Sequence, residues 1–265
     1  MASSQLYPGE VVYDDSTDFL EPPPGQSRGL VLYNRPKGYA YGGVAEPFPQ
    51  ELLIPESEWQ ARIQEMEERK TRLSDLMTQA GLPCKDQART NYCWINAPVH
   101  CLEIVRVLQN QKTVVLSPAS AGAPIKNFTN QGGWGKEGLE WIVERGVCPV
   151  DLWPANAIDR TYYTDANRQA ALDYRVTEWW ELRPRNKAEH ISCLLRRIPA
   201  AVGLNYWSHE VTDYEPVWID GTVAVRFRNS WTMDWPQSGA MGYSIRQGSR
   251  MLADDIVAPR VALAT

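Results

Sequence analysis

Five cysteines and three histidines are spread along 265 residues, and one pairing among them has the surroundings that thiol chemistry needs. Attack of sulfur on a carbonyl requires a thiolate, a base beside it and donors for the oxygen that becomes negative. Cys93 meets the first need. Trp94, Ala97, Cys101, Ile104, Val105 and Leu108 recur at helical spacing, which predicts a helix that begins at Cys93 and runs towards Gln109. Unpaired N–H groups and the macrodipole at a helix N-terminus favour a thiolate there. Of the histidines, His100 lies seven residues along the same predicted helix, too far to touch Cys93, and His190 sits at the start of a polar helix. His209 falls in the strand-rich C-terminal half, from which it can face Cys93 across a cleft.

Several short motifs extend this pairing. Gln87 precedes the pair Cys93-Trp94 by six residues, Gln131-Gly132-Gly133-Trp134 follows, and Asn229-Ser230-Trp231 stands twenty residues beyond His209, with Trp235 and Gly242-Tyr243 after it. In types, order and spacing these segments resemble the papain-like cysteine peptidases. The resemblance implies an α+β fold of two subdomains, a helical half facing an antiparallel barrel-like half. It also implies roles: Cys93 as nucleophile, His209 as base, Asn229 orienting the imidazole, Trp231 shielding that bond, and Gln87 donating to the oxyanion. Gly132, Gly133 and Trp134 would line the wall on which substrate backbone lies. Only a missing Cβ lets an extended peptide pair so closely. Such chemistry hydrolyses amides through a thioester and calls for no metal and no organic cofactor.

The chain also departs from the family. Thr90 and Asn130 stand where secreted members carry a bridging cysteine pair, which fits a reducing compartment. Asn91 and Tyr92 replace small residues before the nucleophile and are expected to crowd the cleft. Thr232 and Pro236 replace glycines, and Pro98 enters the active-site helix, where it removes a hydrogen bond and is expected to distort the backbone.

Around these residues the chain divides in two. Residues 1–80 form a Pro/Gly-rich arm, with Pro22-Pro23-Pro24-Gly25 and a short strand at Gly29–Tyr33, followed by one helix from Ser57 to Gly81. Residues 81–265 form the peptidase-like domain. There, helices are expected at Glu137–Arg145 and Ala188–Arg197, with no periodic signal over residues 147–187. Strands are expected at Ala200–Tyr206, Glu210–Tyr214, Val217–Ile219, Val223–Arg228 and Met241–Ile245, with a hairpin turn at Asp220-Gly221.

Composition narrows the function classes. A net charge of −5 gives no basic footprint for nucleic acid, and no apolar run has the length of a membrane span. The first residues carry no signal-peptide pattern, so a cytoplasmic or virion-associated protein is expected. The expected activity is that of a thiol endopeptidase on a peptide or protein substrate. The rivals are an inactive papain-fold structural or binding protein of a phage, virus or other assembly, using residues 1–80 to hold a protein partner, and an amidase or transpeptidase acting on cell-wall peptides. The arm and first helix lie where an inhibitory propeptide of the family would be, and Glu58 and Arg62 resemble the start of its helical motif. The later Phe and Asn positions are not matched, so a fixed structural extension or partner-binding arm is expected over autoinhibition. An open cleft would favour catalysis, and a cleft filled by Tyr92, Trp134 or the arm a structural role.

Overall fold

The computed structural model describes residues 3–18, 21–32, 45–237 and 240–264. Helix α3 (Cys93–Leu108) is its axis, packed between the sheet and the helices α4 (Pro118–Ile125) and α5 (Gly135–Arg145). The expected inward face was too narrow: every residue from Cys93 to Val107 is buried. Its polar residues are buried because they find partners. Glu103 takes the ammonium of Lys85 and lies 3.1 Å from His100 Nδ1, and the Arg106 guanidinium stands 4.7 Å over the Tyr174 ring. Pro98 does not interrupt the helix.

The helix expected over Ser57–Gly81 is two helices, α1 (Glu56–Glu68) and α2 (Leu73–Gln79). Lys70 at φ 52° and the extended Arg72 separate them. The break lets two faces bury in different places: Trp59 and Ile63 pack on Ile191 and Leu194 of α7 (Lys187–Leu195), while Leu73 and Met77 pack on Ile104 and Tyr214. Helix α5 ends where expected, at Gly146 with φ 72°. Helix α7 is not polar; Glu189 to Leu194 are buried, and His190 Nε2 lies 3.1 Å from Asp213. The unpatterned segment holds α6 (Asp165–Ala171) and strand β3 (Val176–Glu181).

Among the described residues one sheet carries β1 (Val12–Tyr13), β2 (Ala45–Pro47), β3, β4 (Ala200–Leu204), β5 (His209–Ile219), β6 (Thr222–Arg228), β7 (Tyr243–Arg246) and β8 (Asp255–Ala262). Its spatial order is β1-β7-β6-β5-β4-β8-β3-β2. Pairing is antiparallel from β7 to β3, and β1 and β2 add parallel edges. The two strands expected over Glu210–Ile219 are one, with a bulge at Tyr214 that carries it past Pro216. Asp220 and Gly221 both take positive φ, 48° and 79°, as a tight hairpin turn requires. Strand β8 was not anticipated; Pro259 reads as a breaker but sits opposite Trp179 in the ladder.

Two large apolar clusters lie in the interior, and α3 contributes to the first. One joins Trp94, Ile95, Leu139 and Trp153; the other joins Tyr13, Trp207, Phe227, Trp231 and Trp235. The arm is woven into this body. Ser4 N–H donates to Trp218 O (2.6 Å), and Glu10 ion-pairs at 2.6 Å with Arg226, a wholly buried guanidinium that also meets Glu215. The strand expected at Gly29–Tyr33 is a single parallel bridge between Leu30 and Gly133; Tyr33 lies outside the described residues.

Candidate active site

Cys93 opens α3 and His209 opens β5, and the packing of α3 on β5 brings the two chain ends to one cleft. The sulfur faces the backbone N–H groups of Trp94, Gly29 and Glu210, the last being the residue after His209. Both side chains are fully buried. Burial pushes the Cys93 thiol up to about 12, against the smaller pull of those N–H groups, and the nearby Glu210 adds to the rise. Burial likewise drives His209 down to about 3, opposed by its bond to Asn229 and reinforced by the Arg28 cation. The pair is therefore neutral in this conformation.

The imidazole is held in one orientation. His209 Nε2 lies 2.7 Å from Asn229 Oδ1, which also accepts the Ser230 N–H at 2.7 Å. An oxygen accepting both bonds places the proton of His209 on Nε2 and leaves the lone pair on Nδ1. Among the described residues Nδ1 makes no hydrogen bond, so the sulfur is not bonded to it. Trp231 stacks on the ring at a centroid distance of 4.4 Å and 30°, and Trp207 meets its edge at 5.1 Å. Cys84 Sγ donates to Asn229 O at 2.9 Å and steadies the loop from below.

Gln87 is buried on the same cleft. Its N–H donates to Ser230 O (2.8 Å) and its Oε1 accepts from Ser230 Oγ (2.6 Å), which ties the Gln loop to the Asn-Ser-Trp loop. Its Nε2 donates at 2.8 Å to the carbonyl of Ser27, which also accepts from Trp231 Nε1 at 2.9 Å. Gly133 N–H donates to Gly29 O (2.8 Å), and Val31 N–H to Gly133 O (2.9 Å). A Cβ on Gly132 would stand 2.3 Å from Gly29 O, and one on Gly133 2.7 Å from the Trp94 ring, so neither tolerates a side chain. The expected cleft residues thus come together, and they hold residues 27–31 of the chain itself. Trp134 caps α5 and is exposed.

Tyr92 does not crowd the cleft. Its ring turns inward under Gly122 and its hydroxyl donates to Thr129 O at 2.8 Å. Thr232 takes φ 88°, the conformation that a glycine adopts without strain. Asn130 ties together the loops that a disulfide would join: Oδ1 accepts Asn91 N–H (2.6 Å), Nδ2 donates to Arg89 O (3.1 Å) and its carbonyl accepts from Asn91 Nδ2 (3.1 Å). All five cysteines are free. Sequence reasoning missed Ser27, Arg28, Gly29, Ser230 and Glu210. Ser230 was readable inside its motif; the arm residues carry no local signal, because their role arises only where the chain returns to the cleft.

No family model matches the chain, and no curated protein matches its sequence. Solved structures match its shape. Xylellain, a cysteine protease from Xylella fastidiosa, superposes with a TM-score of 0.63 at 17% identity, over 91% of this chain and 98% of that one. The digestive procathepsin L 3 of Tenebrio molitor gives 0.58 at 16% identity over 68% of this chain, which spans 66% of the procathepsin's length. The ragweed pollen allergen Amb a 11, a cysteine protease in its proform, gives 0.55 at 17% identity over 67% and 62%. The fold is that of the papain-like cysteine proteases.

Proposed function

We propose that this chain is a thiol peptidase held latent by its own arm. The observation that carries the reading is the orientation of His209: bonded to Asn229 through Nε2 and stacked on Trp231, it keeps an unprotonated Nδ1, while the N–H of the next residue, Glu210, meets the Cys93 sulfur. A structural histidine has no need of a free, shielded lone pair there.

With the cleft open and hydrated, the Cys93 thiol gives its proton to His209 Nδ1. The thiolate, favoured by the start of α3, attacks the substrate carbonyl carbon. The oxygen takes up the electron pair, with Gln87 Nε2 positioned to donate to it. Collapse of the adduct breaks the C–N bond, and the imidazolium returns its proton to the leaving amine, which leaves a thioester on Cys93. His209 then takes a proton from water as that water attacks the thioester, and returns it to the sulfur as the acid departs.

The arm explains the latency. Ser27 O occupies the Gln87 donor while the sulfur meets the N–H of Gly29, so the arm engages both groups that a substrate would use. The second reading, a papain fold kept for assembly, is favoured by the filled cleft and by the anchoring of residues 4–17 and 45–54 in the body.

Gly29→Ala separates the two. A Cβ there would stand 1.8 Å from Asn91 O, so the arm loses its seat while every proposed catalytic residue stays. Gly29→Ala is expected to cleave a mixed peptide library, and the double variant with Cys93→Ala is not. A folded Gly29→Ala protein that cleaves nothing supports the assembly reading.

A further inference from the structure

The pocket beside Gly133 is built from three strands. Gly203 of β4 pairs directly with Glu210 of β5 on one side and with Asp255 of β8 on the other. Residues directly opposite in a ladder share a face, and neighbouring strands lie ~4.8 Å apart, so two carboxyl side chains flank a position that has none. The gap is filled from above by Leu30 of the arm, whose Cδ atoms lie 3.3 and 3.5 Å from where a Gly203 Cβ would be. Leu30 is also the residue bridged to Gly133. A peptide residue bound at Gly133 in place of Leu30 puts its side chain into this slot.

Leu30 is a poor match for it. Glu210 is 1% exposed, the backbone N–H of Gly135 approaches its carboxyl, and among the described residues neither oxygen makes a hydrogen bond of good geometry. The neighbouring cation, Lys136, is engaged with Glu181 at 3.0 Å. A buried carboxyl against an isobutyl group forgoes the bonds it could make, whereas an ammonium or guanidinium would supply them. Burial and Asp255 hold the Glu210 carboxyl well above the usual carboxylate range, the state expected of an acid that lacks its cation.

We propose that the slot between Glu210 and Asp255 is a specificity pocket for a basic side chain, so that the latent peptidase selects Lys or Arg at the residue bound to Gly133. This rests on the peptidase reading for its meaning, but its test does not require turnover. The pocket's occupant can be exchanged in place: Leu30→Lys presents a cation to the slot and Leu30→Gln a neutral chain of similar length. The readout is hydrogen exchange of the Val31 amide, which is protected only while it donates to Gly133 O.

Leu30→Lys is expected to slow that exchange about tenfold or more relative to Leu30→Gln, as a charge-assisted bond warrants. Adding Glu210→Gln, which copies the protonated acid and spares the fold, should erase the difference. If Leu30→Lys exchanges as fast as Leu30→Gln or faster, or if its advantage survives Glu210→Gln, the slot does not recognise cations. Peptides differing only in Lys or Leu, offered to the Gly29→Ala protein, report separately: no cleavage of either contradicts the peptidase reading, and equal cleavage contradicts the pocket alone.

Discussion

At the scale of single residues, polar side chains do the positioning that covalent or metal constraints do elsewhere. Three hydrogen bonds through Asn130 hold the loop of Arg89 and Asn91, which leads into Cys93. Two of them use its side chain on the surface, so Asn130→Ala is expected to lower stability by about 1–2 kcal/mol, read from a urea midpoint at unchanged slope. In the proposed mechanism Asn229 serves chemistry more than stability. Asn229→Ala in the Gly29→Ala background frees His209 to change tautomer, and turnover should fall by about 10²-fold or more with the sheet intact by circular dichroism. Retention of full turnover would show that the tautomer is set elsewhere. The residue types of this site were legible in the sequence because Gln87, Cys93, His209 and Asn229 belong to short motifs whose order survives divergence. Glu210 and Gly203 were not, since their meaning depends on a strand register that periodicity does not reveal.

The elements show the same division. Helix α5 and the hairpin at Asp220-Gly221 were readable from local chemistry, a terminating glycine and a turn that demands positive φ. Strand β8, the split between α1 and α2, and the course of the arm were not, because each is decided by a partner distant in sequence. The arm is the clearest case. Its Pro- and Gly-rich composition predicts an extended arm with short strands at most but not its course: Glu10 supplies a carboxylate to buried Arg226 and Val12–Tyr13 extend the sheet beside β7. Glu10→Ala leaves that guanidinium with only one of its two carboxylates and is expected to cost about 3–5 kcal/mol. Deletion of residues 1–80 is therefore expected to give insoluble or molten protein, whereas Gly29→Ala unseats the cleft segment and keeps the body. A deletion variant with native near-ultraviolet dichroism would show that the arm is dispensable after all.

The molecule as a whole keeps its thiols protonated. Burial raises all five, Cys93 to about 12 and Cys148 to about 11, with Cys84, Cys101 and Cys193 moved in the same direction. A group whose folded pKa is raised holds its proton in the native state after the unfolded chain has lost it. Stability is thus fully present below pH ~9 and is lost as pH rises towards 12, by up to ~1.4 kcal/mol per unit for each thiol. Denaturant midpoints should fall steeply between pH 9 and 10.5; a flat profile would mean that the thiols are hydrated. A competent Cys93–His209 pair beneath a removable cover would show itself in the rate at which an epoxysuccinyl inhibitor labels Cys93 at pH 7, read by intact mass. Negligible labelling of the native chain is expected, and rapid addition of one equivalent to the folded Gly29→Ala protein, abolished by Cys93→Ala. A folded Gly29→Ala protein that stays unlabelled, or that labels only as fast as an ordinary exposed thiol, would contradict such a pair.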